Sequence, residues 1–218
     1  MARVDRNLPT PKQARSELST SRLLDAAADL IAEGGYERMT LAAIGVRAGY
    51  SPGLVTARFG SKEGLLWALV ERMVVDWQGR SLREVIGGTT GAVAIRAMLA
   101  ELKSSWLRSP NRMRALYILM FEALLPVPLL QQRMLELHRD LRTSVRGVIE
   151  SGMAEGTVGS DVDAEAVARL VVGGLRGAAY QAMLDPEDVA VDQALDDLGL
   201  LVDALLPVGV DRGAEKIG

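Results

Sequence analysis

The sequence contains no cysteine and only one histidine, His138. Without cysteine, neither a disulfide framework nor a thiolate metal site can form, and a single histidine excludes a histidine-based metal cluster. We therefore expect no metal and no cofactor. A serine–histidine–acid triad would have to use His138, which lies in the charged segment 136–140, so a solvated or hydrogen-bonded side chain is the simpler interpretation. We predict that the chain is not an enzyme.

Aromatic residues make up only 4% of the chain, and no apolar run approaches the roughly 18 residues that a membrane-spanning helix needs. Residues 1–15 also lack an apolar stretch of signal-peptide length. We therefore expect a soluble, cytoplasmic protein, and the lack of cysteine fits a reducing compartment. Leucine, valine, alanine and methionine carry most of the 49% hydrophobic content, and this mixture favours helices over strands.

Charge is distributed unevenly along the 218 residues. Residues 1–66 contain nine Lys and Arg against seven Asp and Glu, whereas residues 67–218 contain sixteen against twenty-one. The pattern is that of a mildly basic head on an acidic body. Five cations crowd into the first 22 residues: Arg3, Arg6, Lys12, Arg15 and Arg22. They indicate either a solvated, disordered tail or an arm that touches phosphates or a minor groove.

Apolar residues recur at helical spacing from Ser19 to Leu206, with no convincing period-2 strand. This pattern predicts an all-α fold of about nine helices. Pro9 and Pro11, together with low apolar content, predict a flexible arm over residues 1–18.

The segment from Thr40 to Leu66 is the most informative part of the chain. Thr40 can cap a short helix that Gly49 ends, and Ser51 can cap a second that Gly60 ends. Two short helices joined by a tight turn are typical of a helix-turn-helix, whose second helix enters the DNA major groove. The alternative is a helical corner with no DNA-binding role. The candidate DNA-binding residues are Thr40, Ser51, Pro52, Gly53, Leu54, Thr56, Ala57, Arg58 and Lys62.

The same segment resembles the DNA-binding domain of the TetR family of bacterial regulators. The matching features lie at residues 34–36, 40, 48–49, 51–53, 59–63 and 65–66. Two positions differ, because the family commonly has a tyrosine where Thr56 stands and a histidine where Arg58 stands. Thr56 can still donate to a phosphate, with a shorter reach. Arg58 keeps a positive charge and can reach the backbone or, through its fork, a guanine.

The resemblance implies an inducer pocket between the middle helices of the body. The candidates are mostly apolar, which would suit a fairly large hydrophobic ligand, and the methionines among them adapt their shape easily. The alternative is ordinary core packing. The candidates are Met98, Leu102, Trp106, Met113, Tyr117, Met120, Phe121, Met134, His138 and Tyr180.

A helix-turn-helix protein usually reads two half-sites about one DNA turn apart, so we expect a two-fold homodimer. Two apolar stripes near the C-terminal end suit that interface, although such stripes could equally pack inside one chain. The candidate interface residues are Val167, Leu170, Val171, Gly174, Leu175, Ala178, Leu195, Leu198, Val202 and Leu205.

These observations predict four regions: an arm (1–18), a three-helix helix-turn-helix DNA-binding domain (19–66), a helical effector-binding and dimerisation domain (67–207) and a tail (208–218). The predicted function is that of a ligand-responsive regulator that binds a palindromic operator as a dimer. The resemblance implies repression that a small, hydrophobic inducer relieves. The alternative is a helical small-molecule-binding protein whose head has lost DNA binding. Steep salt dependence of DNA binding would separate the two.

Overall fold

The structure is a computed structural model that describes residues 10–75, 86–125 and 128–208. Within these ranges it contains nine α-helices and no strand, which confirms the all-α prediction. The helices are α1 (Pro11–Arg38), α2 (Leu41–Ala48), α3 (Pro52–Phe59), α4 (Lys62–Val75), α5 (Gly91–Arg108), α6 (Pro110–Glu122), α7 (Pro128–Ala154), α8 (Ala164–Leu184) and α9 (Val191–Leu205). No helix among the described residues has the length and apolar character to span a bilayer.

The first helix begins earlier than the sequence predicted. Thr10 and Gln13 form a capping box, in which each side chain accepts a hydrogen bond from the other residue's backbone N–H, at 3.3 and 2.8 Å. Pro11 occupies the first helical position, where its missing N–H costs nothing. The arm prediction is therefore wrong for residues 11–18, which are helical. Residues 1–9 of that arm, and residues 209–218 of the predicted tail, lie outside the described residues.

The helix-turn-helix forms where its capping signals stand. Thr40 caps α2 by accepting a hydrogen bond from the Ala43 N–H at 3.1 Å, and Ser51 caps α3 by accepting one from the Leu54 N–H at 3.3 Å. Between them, Gly49 ends α2 in the left-handed conformation, with φ 76°. The predicted turn is confirmed.

Close packing in this turn depends on a second glycine, Gly45, inside α2. A Cβ at Gly45 would lie 2.9 Å from the carbonyl oxygen of Tyr50, which is too close for any side chain. The Gly45 carbonyl accepts a hydrogen bond from the Tyr50 N–H at 2.8 Å. The chain leaving α2 therefore rests directly on the helix backbone, and this contact sets the entry of α3.

The chain divides within α4 into two compact units, one ending at Arg72 and one beginning at Met73. In the first unit, which we call the head, eight apolar side chains are completely buried: Leu23, Ala27, Ile31, Met39, Ile44, Val55, Leu65 and Leu69. The Arg72 guanidinium donates hydrogen bonds to the carbonyl and hydroxyl oxygens of Ser21 in α1, at 3.1 and 3.2 Å. This contact explains why the division falls beyond the predicted boundary at residue 66.

The second unit, which we call the body, packs α5 against α7 and α9, and α8 against α7 and α9. Helix α6 contacts α5, α7 and α8. One apolar cluster unites α5 to α9, and completely buried members include Ile95, Val145, Ile149 and Val202. This single core holds the helices that surround the cavity described below.

Candidate DNA-reading helix and ligand cavity

Helix α3 presents a narrow face of small side chains to solvent. Pro52, Gly53, Thr56 and Ala57 are exposed, whereas Val55 is completely buried in the head. Their spacing places the four exposed residues side by side on one surface of the helix. No side chain on this surface is larger than threonine, so another molecule can approach the α3 backbone closely.

Two exposed hydroxyl groups flank this face. The oxygens of Thr40 and Ser51 accept the capping hydrogen bonds described above, which leaves each hydroxyl hydrogen available for an outside acceptor. Each hydroxyl stands at the N-terminus of an eight-residue helix, where the helix dipole favours a negative charge. The arrangement suits contact with phosphate oxygens.

Arg58 does not project from the small-residue face. Its guanidinium donates to the Ser16 carbonyl and the Ser16 hydroxyl, both at 2.9 Å, to the Ser19 hydroxyl at 3.2 Å, and to the Thr20 hydroxyl. This differs from the prediction that Arg58 reaches bases or phosphates. One reason is the early start of α1, which brings Ser16, predicted to lie in a flexible arm, into a helix beside Ser19 and Thr20 and within reach of α3.

Lys62 is also engaged within the head. Its ammonium group donates to the Glu37 carbonyl at 3.2 Å and lies 4.1 Å from the centre of the Tyr36 ring. Lys62 therefore helps to hold the end of α1. Leu54, the remaining predicted DNA-binding residue, is half-buried.

The early start of α1 instead exposes a row of cations. Lys12, Arg15 and Arg22 are exposed, and their spacing of three and seven residues places them on one face of the helix. None of the three forms an ion pair with a described carboxylate. These cations are evident in the sequence, whereas the helical conformation of residues 11–18, which aligns them, is not.

The body contains a small apolar cavity of about 20 Å³, room for roughly one water molecule. Three of the predicted pocket residues line it, namely Leu102, Met113 and Met120. Sequence reasoning missed the other lining residues, which are Met73, Val74, Leu116, Leu137, Leu141, Leu175 and Arg176. Arg176 carried a signal in the sequence, since it is the only charged residue between Leu170 and Leu184.

The other predicted pocket residues do not line this cavity. Four are buried in the body: Met98, Trp106, Tyr117 and Met134. Phe121 and Tyr180 are nearly half exposed, and their rings pack edge to face with centres 5.5 Å apart. His138 is half-buried, and its Nδ1 lies 2.8 Å from the Met134 carbonyl oxygen.

Tyr117 contacts both the cavity arginine, Arg176, and the buried ring of Trp106. The Arg176 Nη1 donates to the Tyr117 hydroxyl at 3.2 Å, and the guanidinium lies 5.3 Å from the ring centre. Burial raises the pKa of the Tyr117 phenol, and the neighbouring Arg176 opposes that rise. Tyr117 is therefore a neutral phenol, and its ring lies 5.6 Å from that of Trp106.

Most of the predicted interface residues pack inside one chain. Seven are buried: Val167, Val171, Leu175, Ala178, Leu195, Leu198 and Val202. A Cβ at Gly174 would lie 2.7 Å from Leu198 Cδ1, so this glycine serves the packing of α8 against α9. Leu205 is partly buried against the same core, and only Leu170 is well exposed, at 56%. The interface prediction is wrong for the buried set, because a stripe at helical spacing does not reveal which surface covers it.

A different apolar face of α8 and α9 is exposed. Its large members are Leu170, Tyr180, Leu184 and Leu201, which expose between 47 and 70% of their surface, whereas the exposed Leu200 lies in a groove between α5 and α9. Gly173 lies on the same side of α8, with open space around the position of a Cβ. This set, which we call the outer face, forms the apolar surface on the other side of the two helices that form the predicted stripes.

Family comparison supports the division of the chain. The family described as "Bacterial regulatory proteins, tetR family" matches residues 23–69, and the family described as "BetI-type transcriptional repressor, C-terminal" matches residues 93–207. The HTH-type transcriptional regulator BetI of Burkholderia cenocepacia (strain HI2424) is 34% identical over 91 residues, which cover 41% of this chain and 47% of BetI. The chain thus spans about half the length of the curated relatives it matches.

Solved structures share the fold across most of the chain. SmeT of Stenotrophomonas maltophilia, solved with triclosan, has a TM-score of 0.73 at 22% identity, and covers 86% of this chain and 90% of its own. FadR of Bacillus subtilis, solved with stearoyl-CoA, has a TM-score of 0.72 at 18% identity, and covers 86% and 99%. With two family matches that account for the head and most of the body, the chain belongs to the TetR family of helix-turn-helix transcriptional regulators.

Proposed function

We propose that this TetR-family regulator is a cytoplasmic repressor that binds a palindromic operator as a homodimer and releases it when an apolar small molecule occupies the body. The observation that carries the DNA-binding part is the small-residue face of α3, flanked by the hydroxyls of Thr40 and Ser51. In a helix-turn-helix, such a face allows the second helix to enter the major groove.

Contact with the DNA backbone is assigned to α1 as well as to the helix-turn-helix. Lys12, Arg15 and Arg22 form a row of exposed cations that can lie along successive phosphates, which fix the position of a protein on DNA without reading its sequence. Arg58 ties α1 to α3 through hydrogen bonds to Ser16, Ser19 and Thr20. In this scheme, Arg58 is a positioning residue that holds the cationic row in register with the reading helix.

The dimer is assigned to the outer face of α8 and α9 rather than to the stripe predicted from sequence. An exposed apolar surface of this kind marks an interaction site. A two-fold dimer would cover it with the same surface of a second copy and would present two heads to two half-sites. The outer face is the better candidate because the original stripe is occupied by the body's own core.

The inducer is assigned to the apolar cavity of the body. SmeT has been solved with triclosan and FadR with stearoyl-CoA, so proteins of this fold accommodate ligands that have a large apolar part. A cavity of about 20 Å³ must open to admit such a molecule. If the opened body favours a spacing of the heads that the operator does not accept, ligand and DNA weaken each other reciprocally.

The test is fluorescence-anisotropy binding of the full chain to the DNA upstream of its own gene, over a salt series. Ala57→Glu places a carboxylate on the small-residue face of α3 and should weaken binding at least about tenfold, because it faces phosphates. Ala100→Glu adds the same charge at an exposed position of α5 in the body and serves as the matched control.

Selective binding that Ala57→Glu abolishes and Ala100→Glu preserves would support the regulator. Equal, weak binding to operator and random DNA in every variant, also after selection from random sequences, would contradict it. That result would favour a ligand-binding protein with an inactive head.

A further inference from the structure

Among the described side chains that line the cavity of the body, one is positively charged. Nine of its ten lining residues are apolar, and the tenth is Arg176 of α8. A guanidinium cannot lose its proton in a protein, so it cannot escape the cost of an apolar environment by becoming neutral. Arg176 is partly buried, so water reaches part of its guanidinium, and its buried donors need hydrogen-bond acceptors or a counter-ion.

Arg176 has few acceptors within the body. Its Nη1 donates to the Tyr117 hydroxyl at 3.2 Å, whereas its Nε is buried without a hydrogen-bond partner. No carboxylate among residues 10–75, 86–125 and 128–208 forms an ion pair with it. Tyr117 is a neutral phenol and supplies no negative charge. Most of the five donors of this guanidinium therefore remain available to a ligand.

Two cations, Arg176 and Arg142, act on the single histidine near the cavity. His138 of α7 has a lowered pKa, first because burial disfavours its charged form, and further because Arg176 and Arg142 repel a proton. The Met134 carbonyl can only accept, so the neutral ring donates its Nδ1–H to it. Arg142 forms no ion pair with a described carboxylate either. This part of the body would attract an anion and repel a cation.

We propose that the ligand of this cavity is an amphipathic carboxylate, whose apolar part lies among the methionine and leucine side chains and whose carboxylate pairs with the guanidinium of Arg176. The inference rests on the proposed function, because it names the chemical class of the inducer. The two oxygens of a carboxylate can accept hydrogen bonds from two N–H groups of the guanidinium at once, whereas Tyr117 offers a single oxygen. Arg176 is thus the specificity-determining residue.

The cavity can enlarge at modest cost. Met73, Met113 and Met120 line it, and the unbranched methionine side chain changes rotamer more easily than a branched one. An entering alkyl or aryl group would displace these side chains while the charged end reaches Arg176. The apolar part sets how far the cavity opens, and the carboxylate sets which molecules are retained.

The experiment compares matched ligands by isothermal titration calorimetry with the full chain. Decanoate and 4-phenylbutanoate are each measured beside the amide of the same skeleton, and decyltrimethylammonium provides a cationic partner of similar chain length. We expect each carboxylate to bind at least about tenfold more tightly than its amide. We expect decyltrimethylammonium to bind more weakly than both decanoate and decanamide. Equal affinity of carboxylate and amide, tighter binding of the cation, or no binding of either carboxylate would overturn the proposal.

Two variants on α8 test whether Arg176 causes the preference for a carboxylate over its amide. Arg176→Met keeps an unbranched side chain without charge and should reduce the carboxylate preference to less than about twofold. Arg169→Met removes an exposed arginine that pairs with Glu165 on the same helix, and should retain the full preference. Circular dichroism of both variants checks the fold. A preference that survives Arg176→Met in folded protein would overturn the assignment of this residue.

Operator binding without ligand, measured on the same preparations, separates the two proposals. Selective DNA binding with no carboxylate preference overturns only the ligand class. Carboxylate preference without any DNA binding supports the ligand class but contradicts the repressor.

Discussion

The head and the body each place an arginine against a helix, and the two arginines have very different surroundings. Arg58 in the head donates to four oxygen atoms of α1, from two serines and a threonine. Arg176 in the body donates to one phenol oxygen, in a cavity otherwise lined by apolar groups. Both side chains carry the same permanent charge, so the difference lies entirely in what surrounds them.

This difference separates a structural role from a binding role. An arginine whose donors are occupied stabilises the contact between two helices and offers little to an outside molecule. An arginine with few acceptors costs the free protein stability and is ready to gain a partner. In the sequence, Arg58 and Arg176 look alike, since each is a single arginine within a predicted helix. Their neighbours in space decide which role each has.

The largest expected effect tests whether the α8–α9 contact is the interior of the body. Gly174→Glu would force a carboxylate against Leu198 and should lower the free energy of unfolding by at least about 3 kcal/mol. Gly173→Glu, on the outer face, has open space around it and should leave the fold intact while dissociating the proposed dimer. Urea unfolding and sedimentation measure the two outcomes. A stable monomer from Gly174→Glu would restore the interface predicted from sequence.

A smaller effect is the opposite response of the two arginines to the same substitution. Arg58→Met removes hydrogen bonds to the exposed Ser16 and to the partly buried hydroxyls of Ser19 and Thr20, and should destabilise the head by about 1–2 kcal/mol. Arg176→Met removes a cation that has no counter-ion among the described residues, and should leave stability unchanged or raise it by up to about 1 kcal/mol. Thermal unfolding of the ligand-free protein gives both values. Equal destabilisation by the two substitutions would contradict the assignment of a structural role to Arg58 and a binding role to Arg176.

The next effect concerns the row of cations that Arg58 holds in place. Replacing Lys12, Arg15 and Arg22 together by alanine should weaken operator binding about tenfold at physiological salt. The slope of log K against log salt should fall by about 0.9 for each lost phosphate contact. Binding to random DNA should weaken in parallel, since phosphate contacts carry no sequence information. An unchanged slope would show that α1 does not touch the DNA backbone.

The smallest effect is a change in the pKa of the chain's single histidine. Repulsion from Arg176 is one cause of the lowered pKa of His138, so Arg176→Met should raise that pKa. Binding of a carboxylate beside the arginine should raise it as well, through the added negative charge. A proton NMR titration follows one histidine without overlap. An unchanged pKa in both cases would show that His138 does not respond to the charge at Arg176.

The same residue predicts how stability depends on pH. A lowered pKa in the folded state means that the unfolded chain binds the proton more tightly. The stabilising contribution of the neutral ring is therefore complete above the unfolded pKa, near 6.5, and is lost as the pH falls towards the folded value. His138→Gln should make the unfolding free energy less sensitive to pH in that window, as urea titrations at several pH values would measure.

The helix-turn-helix could be predicted because its determinants are local. Thr40, Gly49 and Ser51 act on backbone groups within a few residues, so the caps and the turn followed from the sequence. The predicted start of α1 is too late because Pro9 and Pro11 favour a flexible arm, whereas proline at the first helical position is compatible with the helix. That error also hid the environment of Arg58.

Sequence periodicity could not identify what covers each apolar stripe in the body. Leu195 and Leu170 are equally apolar, yet one is buried and the other exposed, because only the packed structure shows on which side of α8 and α9 the rest of the chain lies. The cavity shows the same limit. Met113 and Met120 line it as predicted, but the residue with the clearest chemistry, Arg176, is not among the predicted pocket residues, because its place in the cavity depends on four other helices.

The pairing of Trp106 with Tyr117 gives the body an optical reporter of its own. The buried indole lies 5.6 Å from a phenol ring whose hydroxyl is held by Arg176. Excitation energy passes readily between rings at this separation, and indole emission shifts with the polarity of its surroundings. A molecule that draws the guanidinium away from the phenol would alter both, so we expect ultraviolet fluorescence of unlabelled protein to report occupancy of the body.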